Sequence, residues 1–299
     1  MTREDITISV VIPTLGRSCV AAAVDSVLRQ TYIPQEIIVI DASTDGSAKN
    51  FLPSHPNILV IRPEAVQENG LWTAAHNRNI GIKAASSDYV ALLDDDDEWR
   101  SNKLEKQVAA ALKNPHFVIS CCGESRTKNN RSYRRPRKCL APDQDFLSAL
   151  YGISRFLPLP YYIATPSLLV PTFIAKNVPI REDLLGFEDT WWLHEIQSSG
   201  YSILQLDEDL IVVNAEPIRS ISRDTLEKNS SWASHLATFN KLYAQNYLTG
   251  IAIRNAMILG RSTEIKALLK EAKLYGSVGF RVLSKITIAY FISLLQATR

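Results

Sequence analysis

Asp88-Tyr89-Val90-Ala91-Leu92-Leu93-Asp94-Asp95-Asp96-Asp97-Glu98-Trp99 is the stretch from which the fold is read. An apolar run of this length, bounded by polar residues, reads as a buried strand. Four carboxylates follow it at once, and Trp99 closes them. Adjacent carboxylates repel one another unless a cation or a basic ligand compensates them, so something positive is expected here. Hard divalent cations such as Mg²⁺ or Mn²⁺ take oxygen ligands, and Mg²⁺ typically uses one or two carboxylates plus phosphates. A solvated acidic turn is the rival reading; the apolar strand before the run and Trp99 after it weigh against that.

Upstream of this stretch, short apolar runs alternate with helical patterns, as in βαβ units. Ile6 to Ile12 reads as a first strand stopped by Pro13, and Glu36 to Ile40 as a second with Asp41 at its end. Asn57 to Ile61 reads as a third. Between them, Cys19 to Gln30 reads as a helix with Ala22, Val24, Val27 and Leu28 on its apolar side. Gly70 to Ala85 reads as another, carrying Trp72, Ala75, Ile80 and Ile82. The fold class expected is α/β, with a Rossmann-like, mostly parallel sheet flanked by helices. In such sheets ligands bind beyond the carboxyl ends of the strands, where Asp41 and Asp94 both fall.

Downstream, Lys103 to Lys113 reads as a helix and Phe117 to Cys122 as a strand. Glu124 to Lys138 reads as a basic loop or excursion, with Arg126, Lys128, Arg131, Arg134, Arg135, Arg137 and Lys138. Ser167 to Val170, Ile203 to Leu206 and Leu210 to Val213 read as strands, and Glu188 to Ser198 as a helix. Beyond about Asp224 the pattern is helical. The division expected is a catalytic domain over 1–223 and a helical C-terminal extension over 224–299.

A chain of 299 residues, 46% hydrophobic and 21% charged, can bury a full core. Its formal net charge of +2 argues against a nucleic acid partner. Cys19, Cys121, Cys122 and Cys139 lack metal-site spacing, and packing is the role expected of them. Thr2, Arg3, Glu4 and Asp5 run directly into a strand without an apolar leader, so a cytoplasmic location is expected. Ile286 to Leu295 is far shorter than the roughly 20 residues a spanning helix needs. His55, His76, His116, His194 and His235 are scattered without ligand spacing. No G-x-S-x-G elbow, P-loop or G-x-G-x-x-G is present, which removes the commonest hydrolase, kinase and dinucleotide readings.

Three further positions have two readings each. Asp41 either caps the next turn or holds a ligand. Glu188 and Asp189, between Gly186-Phe187 and Trp191-Trp192, either serve a helix N-terminus or supply a general base. Arg78, in Asn77-Arg78-Asn79, is either a solvated residue on an exposed helix face or a contact for phosphate or base.

Taken in order, these motifs resemble the inverting family 2 glycosyltransferases of the GT-A fold, over about residues 6 to 215. Ile8-Ser9-Val10-Val11-Ile12-Pro13-Thr14 is similar to that family's opening strand, Asp25-Ser26-Val27-Leu28-Arg29-Gln30-Thr31 to its first helix, and Glu36-Ile37-Ile38-Val39-Ile40-Asp41 to its second strand. Asn77-Arg78-Asn79-Ile80-Gly81-Ile82 followed by residues 88–99 is the most specific part. The resemblance implies that Pro13, Thr14, Asp41 and Arg78 face the nucleotide base or ribose. It implies that Asp94, with Asp95, serves the nucleotide sugar, that Asp96 binds Mn²⁺ or Mg²⁺, and that Glu188-Asp189 is the acidic pair with Asp189 as catalytic base. It further implies a nucleoside-diphosphate sugar donor, with UDP or dTDP favoured, and a glycan or lipid-linked acceptor in bacterial surface polysaccharide or glycolipid synthesis. Two departures stand out. Ala42 occupies a place where many relatives carry a second acid, and Val213 to Ser220 lacks the His that relatives often place there, leaving Asn214 or Glu216 as substitutes.

Arg261, Lys266, Lys270, Lys273, Arg281 and Lys285 lie among apolar residues as basic amphipathic helices. These would pack on the catalytic domain by default; peripheral contact with the inner face of an anionic membrane and a homodimer are the alternatives left open. Two rivals to the transferase reading remain. A sugar nucleotidyltransferase would need a Gly-rich basic loop, for which Gly16-Arg17 is too little; an inactive scaffold subunit would not need Asp94, Asp96 and Asp189.

Overall fold

The stretch from Tyr89 to Leu92 forms a strand buried at every residue, in a computed structural model describing residues 6–63, 73–126, 132–153, 161–184, 186–214, 225–279, 283–284 and 286. That strand, β4, belongs to a sheet made with β1 (Ile8–Thr14), β2 (Glu36–Asp41), β3 (Ile58–Ile61), β5 (Glu98–Trp99), β6 (Val118–Arg126), β7 (Ser132–Arg135), β8 (Leu169–Pro171) and β9 (Ile203–Val213). The order is β3-β2-β1-β4-β8-β6-β9-β5, with β7 paired to β6. The half β3-β2-β1-β4 is all parallel, and beyond β4 the sheet is mixed. Helices α1 (Val20–Leu28), α2 (Ala74–Ala84), α3 (Lys103–Ala111), α5 (Thr172–Asn177) and α6 (Glu188–Ser198) accompany it, α4 being Phe146–Tyr151. This is the helix-flanked α/β fold expected from the sequence.

The chain divides into two units: Met1–Asp143 with Tyr162–Asp183 and Glu188–Asn214, and Gln144–Tyr161 with Leu184–Phe187 and Ala215–Arg299. In the first, Ile8, Val10, Ile12, Val24, Val27, Ile37, Val39, Ala91 and Leu93 form the core together with Trp99 and Leu104. Helix α2 lies so close to β1 that a Cβ on Gly81 would stand 2.3 Å from Val11 Cγ1, which explains a glycine inside a helix.

Pro13 does not stop β1, which runs on to Thr14. Val11 O accepts from Leu93 N, and Thr14 O accepts from Ala42 N. Alternation therefore turns the Pro13 nitrogen toward the β4 side, where the pairing has already ended at Val11 opposite Leu92. A proline costs no ladder bond there. On α1 the buried face is Val20, Ala23, Val24 and Val27, and Ala22 is exposed.

Helix α2 begins at Ala74, with Thr73 capping it by accepting from His76 N; residues 70–72, including Trp72, lie outside the described residues. The basic segment read as a loop or excursion is in part a hairpin of β6 and β7, pairing Gly123 with Arg135 through to Arg126 with Ser132. Its apolar content is low because Ser132, Tyr133 and Arg134 are exposed. The two strands expected at Ile203 to Leu206 and Leu210 to Val213 are a single bulged strand, β9.

The second unit contains α4 and the helical stretches Leu226–Phe239, Lys241–Tyr247, a π turn Leu248–Ala252, Ile253–Ile258 and Ser262–Ala272. Its core is aromatic. Phe187 stacks on Trp232 at 5.0 Å, and Tyr151 meets Tyr247 edge-on at 5.8 Å. Lys266 and Lys270 are exposed on a helix that buries Ile265 and Leu268. Arg281 and Lys285 lie outside the described residues. Among the described residues no helix is long and apolar enough to cross a membrane.

Candidate active site

The carboxyl ends of β1, β2 and β4 deliver Thr14, Asp41 and the acidic run to one edge of the sheet. The run makes a tight turn in which Asp97 N donates to Asp94 O at 3.1 Å. Trp99 then pairs back into the sheet at β5, and its Nε1 donates to Pro166 O at 2.9 Å, fastening the 3₁₀ turn Thr165–Ser167.

The four carboxylates have different surroundings. Asp94 accepts from Arg78 Nη2 at 2.6 Å. Asp95 is buried, accepts from Thr14 Oγ1 at 2.6 Å and from Arg17 Nε at 3.1 Å, and also pairs with Arg17 Nη2. Asp96 is half exposed, and its one ion pair among the described residues is with Arg17 at 3.2 Å. Asp97 is buried, accepts from Asn214 N at 2.9 Å, and has its pKa pushed up to about 8 by burial and by the Asp94 and Asp96 charges. The positive charge expected from the sequence is thus supplied in part by the protein itself: Arg17 and Arg78 oppose the run. Burial, against Arg17 and with Asp94 and Asp95, also raises the Asp96 pKa.

Arg78 is buried, not solvated on an exposed face. It donates from Nη2 to Asp94 and from Nη1 to Glu188 at 3.3 Å, joining the end of β4 to the start of α6. Burial opposes its charge, but Asp94, Glu188 and Asp189 outweigh burial and hold it protonated. Its Nε has no hydrogen-bond partner among the described residues.

Asp189 lies beside this bridge. Its Oδ1 accepts from Thr190 N at 2.7 Å, and its Oδ2 from Thr165 Oγ1 at 3.2 Å. Burial and the neighbouring Glu188 charge raise its pKa, against the pull of Arg78. A carboxylate so held is poised to accept a proton nearer neutral pH than an ordinary aspartate.

Asp41 is buried at the end of β2 and bonds its own loop, accepting from Ser43 N at 3.0 Å, Ser43 Oγ at 2.5 Å and Ala48 N at 3.3 Å. Both readings of the sequence remain compatible, because each carboxylate oxygen accepts more than one bond. Pro13 stands half-buried just before Thr14. Asn214 Nδ2 donates to Asp96 O at 2.9 Å, which brings this expected substitute for the missing His to the acidic turn. Glu216 lies outside the described residues.

Sequence reading missed Arg17 and Thr165. Arg17 stood only three residues after Thr14 in a loop without pattern, and Thr165 in a stretch without periodicity. The chemistry of the edge suits a hard divalent cation: oxygen donors, with the half-exposed Asp96 carboxylate the one not consumed by buried partners.

A Rickettsia prowazekii protein described as an uncharacterised glycosyltransferase is 27% identical over 245 residues, covering 78% of this chain and 73% of that protein. The Escherichia coli UDP-Glc:alpha-D-GlcNAc-diphosphoundecaprenol beta-1,3-glucosyltransferase WfgD is 35% identical over 114 residues, 37% of this chain and 43% of that one. In fold, the chain is similar to Staphylococcus aureus TarS 1-349 in complex with UDP-GlcNAc (TM-score 0.54, 18% identity, 93% of this chain and 83% of that one). It is also similar to the mannosyltransferase PcManGT from Pyrobaculum calidifontis in complex with GDP-Man and Mn²⁺ (TM-score 0.59, 17% identity, 97% and 86%). The sequence profile described as Glycosyl transferase family 2 matches residues 9–182, which include all of β1 but Ile8, the acidic turn and Thr165, and on that match the chain belongs to glycosyl transferase family 2.

Proposed function

We propose that the chain is an inverting transferase that moves a sugar from a nucleoside diphosphate, UDP or dTDP, to a hydroxyl of a glycan or lipid-linked acceptor in bacterial surface polysaccharide or glycolipid synthesis, at the cytoplasmic side of the membrane. The observation that carries this reading is the Arg78 bridge, which joins the acidic turn to the Glu188-Asp189 pair. The chemistry lies within residues 1–223, with 224–299 as an extension.

In this reading Pro13, Thr14, Asp41 and Arg78 border the base and ribose, and Asp94 and Asp95 shape the donor side. Asp96 holds Mn²⁺ or Mg²⁺, and Asn214 steadies the turn beneath it. A bound divalent cation supplies positive charge to the departing diphosphate. Asp189 takes the proton of the acceptor hydroxyl as that oxygen attacks the anomeric carbon from the side opposite the diphosphate, so a single displacement inverts the configuration. Thr165 and Thr190 orient the Asp189 carboxylate.

The likeness to WfgD and to nucleotide-sugar complexes supports the donor class, and the Mn²⁺ in the PcManGT complex supports the cation. A donor-hydrolysis screen over nucleoside-diphosphate sugars, with wild type and Asp189→Asn, tests the reading. Turnover of one donor by wild type, lost in the variant, is expected; no turnover of any donor would favour a binding subunit.

A further inference from the structure

We propose that Cys122, Cys139 and Asp207 form a second metal site, outside the acidic turn, that takes a borderline-soft divalent cation of the Zn²⁺ class. Cys122 is buried on β6, Cys139 is half-buried in the segment after β7, and Asp207 is exposed on β9. Reading by spacing assigned these cysteines to packing, but the fold brings their ligand atoms within 4.8 Å of one another.

The distances suit a tetrahedral ion. With Zn–S near 2.3 Å and Zn–O near 2.0 Å, a tetrahedron sets its S···S edge at about 3.8 Å and its S···O edge at about 3.5 Å. Cys122 Sγ and Cys139 Sγ are 3.4 Å apart, and Cys139 Sγ is 3.5 Å from Asp207 Oδ1. The Cys139–Asp207 edge fits as it stands, the sulfur edge opens by a few tenths of an ångström, and the Cys122–Asp207 edge lies within 4.8 Å.

A bulge aims the carboxylate there. The β6–β9 register passes from Cys121 opposite Leu206 to Cys122 opposite Asp209, leaving Asp207 and Glu208 as extra residues on β9. Bulges commonly re-aim a side chain in this way. Arg134 Nη2 pairs with Asp207 Oδ1, the oxygen that faces Cys139, and its Nε with Asp209 at 2.7 Å, so an ion there shares that oxygen with the guanidinium. Two thiolates and Asp207 bring three negative charges, of which a divalent ion offsets two, and Arg134, shared with Asp209, lies beside them. The fourth position opens to solvent beside the exposed Asp207 and takes water. Such an ion pins the segment after the hairpin to β6 and β9.

The test uses full-length protein, reduced, stripped with a chelator and titrated anaerobically with Co²⁺ and then Zn²⁺. Sulfur-to-cobalt charge-transfer absorption with the visible bands of a tetrahedral ion is expected, saturating at one ion per chain and bleached by Zn²⁺. Cys139→Ser is expected to lose the absorption, Asp207→Asn to weaken the binding, and Asp96→Ala to retain it. Folded wild type without that absorption, or absorption undiminished in Cys139→Ser and Asp207→Asn, would overturn the proposal.

Discussion

Arg78 Nη2 lies 2.6 Å from Asp94 Oδ1, and through this contact a helix residue neutralises the first carboxylate after β4. Because Arg78 also reaches Glu188, its loss strands two acids at once. Breaking a buried ion pair from one side costs about 3–5 kcal/mol, so Arg78→Ala is expected to lower the unfolding free energy by that order. Arg78→Lys keeps the charge without the planar fork, and is expected to fold better than the alanine variant while still losing donor turnover. Urea unfolding followed by donor hydrolysis reads both effects.

Asp95 and Asp96 adjoin in sequence and differ in surroundings. Asp95 is buried against Thr14 and Arg17, whereas Asp96 is half exposed with one 3.2 Å pair. Asp95→Ala is therefore expected to lower the melting temperature by several degrees, and Asp96→Ala to leave it within a degree or so. Differential scanning calorimetry without nucleotide distinguishes them. Equal destabilisation would contradict the division of roles.

As the proposed base, Asp189 would have to be ionised, and its pKa is raised by burial and by Glu188. Activity is accordingly expected to fall as pH drops through a value above the roughly 3.9 of an ordinary aspartate. Asp189→Asn should reduce kcat by about 10²–10⁴ with a smaller change in KM, and abolish that acid limb. An unchanged acid limb in the variant would assign it to another group.

Lys103 is fully buried over the Trp99 ring and donates to Gln107 Oε1 at 2.6 Å; burial lowers its pKa to about 8. Between about pH 8 and the roughly 10.4 of an unfolded lysine, the unfolded chain binds the extra proton, so stability rises with pH across that window. Lys103→Met is expected to remove the slope. Chemical denaturation at about pH 7.5, below the window, and at about pH 8.5 and 9.5, inside it, measures it.

Much of the sheet was legible because β1, β2 and β4 are buried on both faces and read as apolar runs, with the acids at their carboxyl ends following directly. Helix α6 was legible from its acidic start and tryptophans. Arg17 was not, since its partners Asp95 and Asp96 lie more than seventy residues away and meet it only when β1 and β4 pair. The polar Asn77-Arg78-Asn79 triplet left a solvated face and a ligand contact equally open, and packing under the acidic edge buries the guanidinium. The hairpin of β6 and β7 escaped because its outer strand is exposed and polar, leaving no alternation to detect. Cys122 and Asp207 meet through a bulge, which period-based reading cannot anticipate.

The assignment of Asp96 to a cation that holds the donor is tested most directly by calorimetric binding of a panel of nucleoside diphosphates with Mn²⁺, with Mg²⁺ and with chelator, comparing wild type with Asp96→Ala. Binding of one nucleotide that requires the cation and disappears in Asp96→Ala is the expected result. Binding of the same strength in chelator, or undiminished in Asp96→Ala, would contradict it.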